Sequence, residues 1–171
     1  MVAIAAALVL VASGCGYDWT MRLGDPAHSS FTKDAGITAA NAPTLRQIWR
    51  LPPPACNGVT NGAPWFATPV VFHGTIYAGD DFGCLHAINE ATGKIIWTKY
   101  AAYQPNLTCA QQLGIVSSIN VQDDGSGNAV LYFHSPDGYL YKLRGSDGSQ
   151  IWRSLVQIPS TTTNDVYAWS S

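Results

Sequence analysis

The sequence repeats itself, and this repetition constrains the fold more than any other feature. Residues 77–97 align with residues 132–152 at an offset of 55 positions without a gap. The identical pairs are Tyr77 and Tyr132, Gly83 and Gly138, Leu85 and Leu140, Gly93 and Gly148, Ile96 and Ile151, and Trp97 and Trp152. These identities fall at turns and within apolar alternations, so the pattern predicts one structural unit that occurs twice.

Each copy has the residue pattern of a short antiparallel sheet. Runs rich in β-branched and aromatic residues alternate with turns rich in Gly, Asp, Asn and Ser. The strands predicted for the first copy are 67–72, 75–78, 84–88 and 94–97, and those for the second are 114–121, 130–133, 139–143 and 149–152. Four strands in about 50 residues is typical of a β-propeller blade. We therefore predict an all-β partial propeller with antiparallel blades near 64–97 and 114–152 and the start of a third at residues 168–171.

The N-terminus differs in character from the repeats. Residues 2–12 are uninterruptedly apolar, a length that suits the hydrophobic region of a signal peptide but not a helix spanning about 30 Å of hydrocarbon. Ala12, Ser13 and Gly14 then lead into Cys15, which resembles a bacterial lipobox. We predict a signal peptide at 1–14, export to the periplasm or cell surface, and membrane attachment only through a lipid on Cys15. The alternative interpretation is a buried N-terminal helix.

Export would place the remaining cysteines in a compartment that permits disulfides. Three remain, and no Cys-x-x-Cys motif is present. Cys56 and Cys109 both lie in loop-like sequence, so we predict a disulfide between them, whereas Cys84 lies within a strand and is predicted to be a small buried residue. The four histidines are scattered, so no metal site is predicted.

Composition and motifs narrow the possible functions. The net charge is −2 and no Lys/Arg run occurs, which argues against a nucleic-acid partner. The sequence contains no Gly-x-Ser-x-Gly motif, so it gives no indication of a hydrolase. The acids Asp80, Asp81 and Glu90 have the sequence context of turns, so no catalytic residue is predicted. Residues 123–128 lack the ligand alternation of a calcium loop and are predicted to form a polar hairpin turn.

The residues that close each blade resemble a known family. The run at 91–97, ending in Gly-x-x-x-Trp, is similar to the repeat of the quinoprotein (pyrroloquinoline-quinone-type) β-propellers. The lead-in at 15–50, with Asp18-Trp19 and a final Trp49, is similar to the segment that opens these propellers, and the resemblance covers residues 17–171. It implies that the tryptophans dock between neighbouring blades, a role that falls to Trp49, Trp97 and Trp152.

The resemblance implies two classes of function. Enzymes of this family bind pyrroloquinoline quinone and usually calcium on the propeller axis, and many carry two adjacent cysteines followed by an Arg-Gly step. Here Thr108 precedes Cys109 and Leu113 precedes Gly114, so that pattern is incomplete. Residues 164–171 are similar to polymer-oxidising members. Other family members lack a cofactor, including the lipoprotein of the outer-membrane β-barrel assembly machinery, which binds partners through its blade loops.

The incomplete propeller at 51–171 holds two blades and the start of a third, whereas closed propellers need about four to eight. We therefore expect a truncated reading frame that is poorly soluble or self-associates, with a protein partner or the rest of its own propeller covering the open face. The Pro-rich segment 51–54 and the loop 100–108 either supply an interaction surface or are ordinary connectors. We predict a binding or scaffold module without a cofactor of its own. The alternative is a quinone-dependent alcohol or polymer dehydrogenase whose active site lies further along the chain, with quinone and calcium bound there.

Overall fold

The computed structural model describes residues 18–31, 36–52, 54–59, 64–65, 67–101, 104–105 and 112–156. Ten strands form within these ranges, and the one helical element among them is a single 3-10 turn at Ala42–Thr44. The described part of the chain contains no helix long and apolar enough to cross a membrane. The predicted signal peptide, the lipidation site Cys15 and the start of a third blade lie outside the described residues.

The first sheet contains four antiparallel strands in chain order. They are β1 (Val70–Phe72), β2 (Thr75–Gly79), β3 (Cys84–Asn89) and β4 (Ile95–Tyr100). The β1–β2 turn is His73-Gly74, and both residues have positive φ, as two-residue hairpin turns with right-handed strand twist require. Strand β1 is shorter than the predicted 67–72 because Pro69 has no N–H to donate to a ladder.

The second sheet repeats this arrangement. It contains β7 (Asn120–Asp123), β8 (Ala129–His134), β9 (Tyr139–Arg144) and β10 (Gln150–Leu155). A two-stranded ladder of β5 (Gln104–Pro105) and β6 (Gln112–Leu113) lies between the sheets in sequence. Strand β7 begins at Asn120 and not at the predicted Gly114, because Ile115 and Ile119 are buried in the core and the Ile115 N–H is bonded to the Asp80 carbonyl.

The hydrophobic core lies between the two sheets. Alternation in each strand sends one set of side chains inward, so Leu131 and Phe133 of β8 are buried while Tyr132 and His134 point away. The core is completed from the first sheet and from the segment before β7, with Val70, Phe72, Tyr77, Leu85, Ala87, Ile115, Ile119, Val121, Tyr141 and Leu143. Burial of this shared interior makes the two sheets one packed unit.

The lead-in contributes an innermost strand pairing. Trp19 and Val71 exchange two backbone hydrogen bonds of 2.8 Å each, and the Val121 N–H donates to the Thr20 carbonyl at 2.7 Å. Residues 19–20 therefore bridge β1 of the first sheet and β7 of the second. The result is the predicted all-β partial propeller: two stacked four-stranded antiparallel blades in an open arrangement.

Candidate functional site

The two blades are joined through tryptophans that contact turns. The Trp97 indole N–H donates to the Gly145 carbonyl at 2.8 Å, in the β9–β10 turn of the second blade. In the same way, the Trp49 indole N–H donates to the Glu90 carbonyl at 2.7 Å, in the β3–β4 turn of the first blade. Each tryptophan therefore contacts the turn of the blade that follows it.

The glycines of those turns leave room for the indole rings. A Cβ on Gly93 would lie 2.6 Å from the Trp49 ring, and one on Gly148 would lie 2.9 Å from the Trp97 ring. Both glycines also have positive φ, +66° and +69°. This explains why Gly and Trp recur together in the repeat: Gly accommodates the preceding tryptophan as well as the turn geometry.

Trp152 occupies the same place in the second blade as Trp97 in the first. It is 38% exposed, and no following turn contacts it within the described ranges. Tyr132 packs edge-on against Trp152, and Lys142 lies over the Tyr132 ring. This face of the second blade, which we call the blade-2 outer face, points away from the core.

The blade-2 outer face contains a shallow cavity of about 320 Å³. It is lined by Ser118, Asn120, Tyr132, Phe133, His134, Leu140 and Val156. The side-chain oxygen Oδ1 of Asn120 and the ring nitrogen Nε2 of His134 are buried without a hydrogen-bond partner. Unpartnered buried polar atoms are uncommon in native proteins, and these two are themselves inaccessible from the surface of the cavity.

The opposite end of the blade pair, the outward face of the first blade, is already covered. Trp49, Leu51 and Trp65, which precede β1 in the chain, pack over Ile76, Ala78 and Ile88 around an apolar cavity of about 240 Å³. The two ends of the blade pair therefore differ, because one carries a cover from its own chain and the other presents Trp152, Tyr132 and Leu140.

A buried polar cluster lies at the β2–β3 turn of the first blade. Asp80 is fully buried, and its Oδ1 accepts the backbone N–H groups of Phe82 and Cys84 at 3.0 and 2.8 Å. Its Oδ2 lies 2.9 Å from Nε2 of the equally buried His86, whose Nδ1 lies 2.9 Å from the Thr98 hydroxyl. A carboxylate only accepts hydrogen bonds, so Nε2 is the donor. This cluster was not predicted from the sequence, because the Asp80-Asp81 run has the residue pattern of a turn.

A disulfide adjoins the cluster and corrects the predicted pairing. Cys56 is bonded to Cys84, with the Cα atoms 5.9 Å apart, so the prediction of a Cys56–Cys109 disulfide is wrong. Cys84 is buried in a strand as predicted, but it is the first residue of β3, where the Cys56 loop reaches it. Cys109 lies outside the described residues.

The second blade has different chemistry at the equivalent place. The Tyr141 hydroxyl donates to Asp137 at 2.7 Å, and Arg153 donates to that hydroxyl at 3.2 Å. Burial raises the pKa of Tyr141 to about 12, with the Asp137 carboxylate adding to the effect. Arg153 also lies over the Tyr139 ring, 4.5 Å from its centroid. Tyr141 and Arg153 thus stand at the repeat positions of His86 and Thr98, whereas Ser135 stands at the position of Asp80 and Asp137 at that of Phe82.

The surroundings of Tyr141 predict that its hydroxyl ionises at a higher pH than an ordinary tyrosine. A phenol whose pKa is raised on folding stabilises the fold below pH 10, and that contribution is lost as the pH rises through about 12. Spectrophotometric titration should therefore show a tyrosine ionising near pH 12 that Tyr141→Phe removes, while Tyr77, whose pKa burial also raises, remains in the curve of the variant. An unchanged titration curve in Tyr141→Phe would contradict this assignment.

The donor atoms of the described residues fit some metals and not others. The described residues contain one group of three potential metal ligands, formed by Cys56, Asp80 and Cys84. Their ligand atoms lie within 4.8 Å of one another. Calcium takes six to eight oxygen ligands, and this set supplies one carboxylate. The acids of the 123–128 hairpin accept hydrogen bonds from their own loop, where Asp123 and Asp124 bind the N–H groups of Gly125 and Ser126. Among the described residues, the one group of three potential metal ligands thus contains a single carboxylate.

Comparison with known proteins agrees with this geometry. A family model described as the glucose/ethanol/alcohol dehydrogenase β-propeller domain matches residues 19–153. The quinohemoprotein alcohol dehydrogenase of Comamonas testosteroni is 28% identical over 137 residues, which are 79% of this chain and 18% of that protein. The outer membrane protein assembly factor BamB of Legionella pneumophila is 27% identical over 92 residues, covering 54% of this chain and 23% of that protein.

A solved structure shows the same fold. The crystal structure of the Comamonas testosteroni enzyme matches with a TM-score of 0.57 at 24% identity, over 81% of this chain and 19% of that one. The chain thus spans about a fifth of the length of the curated dehydrogenase that it resembles. The match of the family model over most of the sequence, together with the paired blades, confirms the resemblance: the chain belongs to the family of quinoprotein glucose/ethanol/alcohol dehydrogenase β-propeller domains.

Proposed function

We propose that this chain is part of an exported, lipid-anchored propeller that acts as a binding or scaffold module, with the blade-2 outer face as its contact surface. The observation that carries this proposal is an exposed apolar side chain on that face within the described residues. Trp152 is exposed, and Asn120 and His134 hold buried polar atoms without partners. A protein surface with an apolar ridge would bury Trp152.

The disulfide supports the location. Stable disulfides form in oxidising compartments, and Cys56–Cys84 closes a separation of 28 residues beside buried groups. The apolar run at 2–12 followed by Cys15 fits the same route, with a signal peptide removed at residue 14 and a lipid added to Cys15. A similar protein, BamB of Legionella pneumophila, carries the name of an outer membrane assembly factor.

The residues at positions where the family enzymes contact the quinone also favour a module without a quinone. By the family resemblance, Thr108-Cys109 stands where many of the enzymes have paired cysteines, and Leu113 stands where they have an arginine. The buried acid of the first blade, Asp80, is directed at backbone N–H groups and at His86. We derive no catalytic step through a quinone from these residues.

Site-specific photo-cross-linking tests the contact surface. A benzophenone amino acid replaces Tyr132, an aromatic side chain that lines the cavity, and the protein is irradiated in the cells that make it. We expect an adduct with a second protein, and the yield should fall when Trp152 is also changed to Ala. A control at exposed Ser126, in the β7–β8 hairpin, should give none. Adducts only within the protein's own polypeptide, or equal yields at both positions, would contradict the proposal.

A pyrroloquinoline-quinone-dependent alcohol or polymer dehydrogenase is the second candidate. The family assignment favours it, as does the similarity to proteins named alcohol dehydrogenases, such as that of Comamonas testosteroni and the 1-butanol dehydrogenase of Thauera butanivorans, 26% identical over 139 residues. In that case the quinone and calcium ligands would come from parts of the protein other than the residues described here. This candidate predicts alcohol-dependent reduction of an electron-accepting dye once quinone and calcium are supplied.

A further inference from the structure

The Cys56–Cys84 disulfide lies beside a carboxylate that the fold holds in a fixed position. The two sulfurs and the Asp80 carboxylate lie within 4.8 Å of one another. The three residues are 3%, 1% and 0% exposed. Zinc bonds of about 2.0–2.3 Å at tetrahedral angles place ligand atoms roughly 3.3–3.8 Å apart, so small side-chain shifts bring these three to the required spacing.

Asp80 retains the capacity to bind a cation. An ionised carboxylate has about four lone-pair sites, and three are taken by the N–H groups of Phe82 and Cys84 and by His86 Nε2. One site remains. The His86 ring is itself held by Thr98 and lies edge-on to Trp65 at 5.2 Å between ring centroids. An imidazole that orients a ligating carboxylate is the kind of supporting contact that metal sites use.

We infer that Cys56, Cys84 and Asp80 form a redox-controlled site for a thiophilic divalent cation of the zinc type. In the disulfide form the sulfurs are neutral and bind no zinc. A dithiol reductant transfers two electrons and two protons to the Cys56–Cys84 bond, which becomes two thiols, while the reductant leaves as its own disulfide. Zinc then displaces both thiol protons and binds the two thiolates and the Asp80 carboxylate.

Three protein ligands with one further position is a coordination that zinc accepts. On reduction, a zinc ion would thus replace the disulfide as the cross-link between the Cys56 loop and β3. The disulfide fixes this loop in an oxidising compartment, and zinc fixes it wherever a dithiol keeps the sulfurs reduced. Nothing in this inference depends on the partner proposed for the blade-2 outer face.

The test uses the full chain with Cys15→Ser and Cys109→Ser, so that Cys56 and Cys84 are the only cysteines. The protein is reduced with a phosphine, which supplies the same two electrons without competing for metal, and is titrated with Co²⁺ and then Zn²⁺. We expect one ion per reduced chain, with a thiolate-to-cobalt absorption band that zinc abolishes, and no binding by the oxidised chain. Binding by both forms, or by neither, would overturn the inference.

Two variants assign the ligands. Cys84→Ser should lose the thiolate band, and Asp80→Asn, which preserves the shape of the side chain, should bind Zn²⁺ at least tenfold more weakly. Unchanged zinc affinity in either variant would overturn the assignment. If Asp80→Asn does not fold, as judged by circular dichroism, the cobalt spectrum of the chain that retains Asp80, compared with that of Cys84→Ser, decides the question.

Discussion

Replacing Asp80 by Ala should destabilise the chain by about 3–5 kcal/mol, because it leaves several buried hydrogen-bonding groups without their acceptor. The change leaves the N–H groups of Phe82 and Cys84 without their acceptor, and it leaves His86 buried without its carboxylate. Each unsatisfied buried group costs about 1–3 kcal/mol. Urea unfolding followed by far-ultraviolet circular dichroism, with the disulfide intact, measures the loss.

The Asp80→Asn variant keeps the shape of the side chain but removes the carboxylate, so it shows how much of the loss of stability comes from the carboxylate itself. Its amide oxygen can still accept from the two backbone N–H groups, and the neutral His86 can present Nε2 as an acceptor to the amide NH₂. We therefore expect a loss of about 1–2 kcal/mol for Asp80→Asn. Asp124→Ala, in the exposed β7–β8 hairpin, serves as the control and should lower the free energy of unfolding much less than Asp80→Ala does. An Asp80→Ala variant as stable as this control would show that the cluster does not support the fold.

Trp97→Ala should destabilise the chain by about 2–4 kcal/mol, somewhat below the value for a fully buried tryptophan because Trp97 is partly exposed. The loss combines the packing of the indole against Gly148 and Tyr77 with the hydrogen bond to the Gly145 carbonyl. Trp97→Phe keeps most of the packing and loses the donor, so about 1–2 kcal/mol is expected. Urea unfolding again provides the measurement.

Trp152 provides the matched control, because it holds the same repeat position without a following turn in the described part of the chain. Trp152→Ala should cost less than about 1 kcal/mol in the same unfolding experiment. Its effect should appear instead in the cross-linking yield at Tyr132. Equal losses of stability for Trp97→Ala and Trp152→Ala would mean that the tryptophans do not act by docking onto the next blade.

The strand pattern of the repeat could be predicted because it depends on local chemistry. β-branched and aromatic runs, Gly at positive φ and two-residue turns determine β2, β3, β8 and β9 almost to the residue. The first strand of each blade was predicted too long, since Pro69 and the contact of Ile115 with Asp80 act against a regular ladder. Such effects depend on tertiary neighbours that a local pattern does not reveal.

The polar cluster and the disulfide depend on how distant segments meet. His86 alternates with Leu85, which indicates its face, but its contact with Thr98 depends on the β3–β4 register, which contains an irregularity next to Ala87. The pairing of Cys56 with Cys84 depends on how the Cys56 loop folds back over 28 residues. Three cysteines allow three possible pairings, and position in a strand or loop does not choose among them.

The unpartnered atoms of the blade-2 outer face could not be predicted either. Asn120 and His134 have ordinary strand contexts, and their lack of partners is visible only after the neighbouring side chains are placed. The Gly–Trp spacing, by contrast, was available from the sequence. This spacing indicates the glycine positions and the preceding tryptophans that contact one another, Gly93 with Trp49 and Gly148 with Trp97.

The most direct test of the proposal that this protein acts as a binding module, rather than as a quinone-dependent dehydrogenase, is a measurement of bound quinone. Protein isolated from the cells that make it is incubated with Ca²⁺ and pyrroloquinoline quinone, separated from free quinone by gel filtration, and its bound quinone is measured by absorbance. The account predicts that no stoichiometric quinone is retained. Retention of one quinone per protein in a calcium-dependent manner, with alcohol-dependent dye reduction, would contradict it and establish the dehydrogenase.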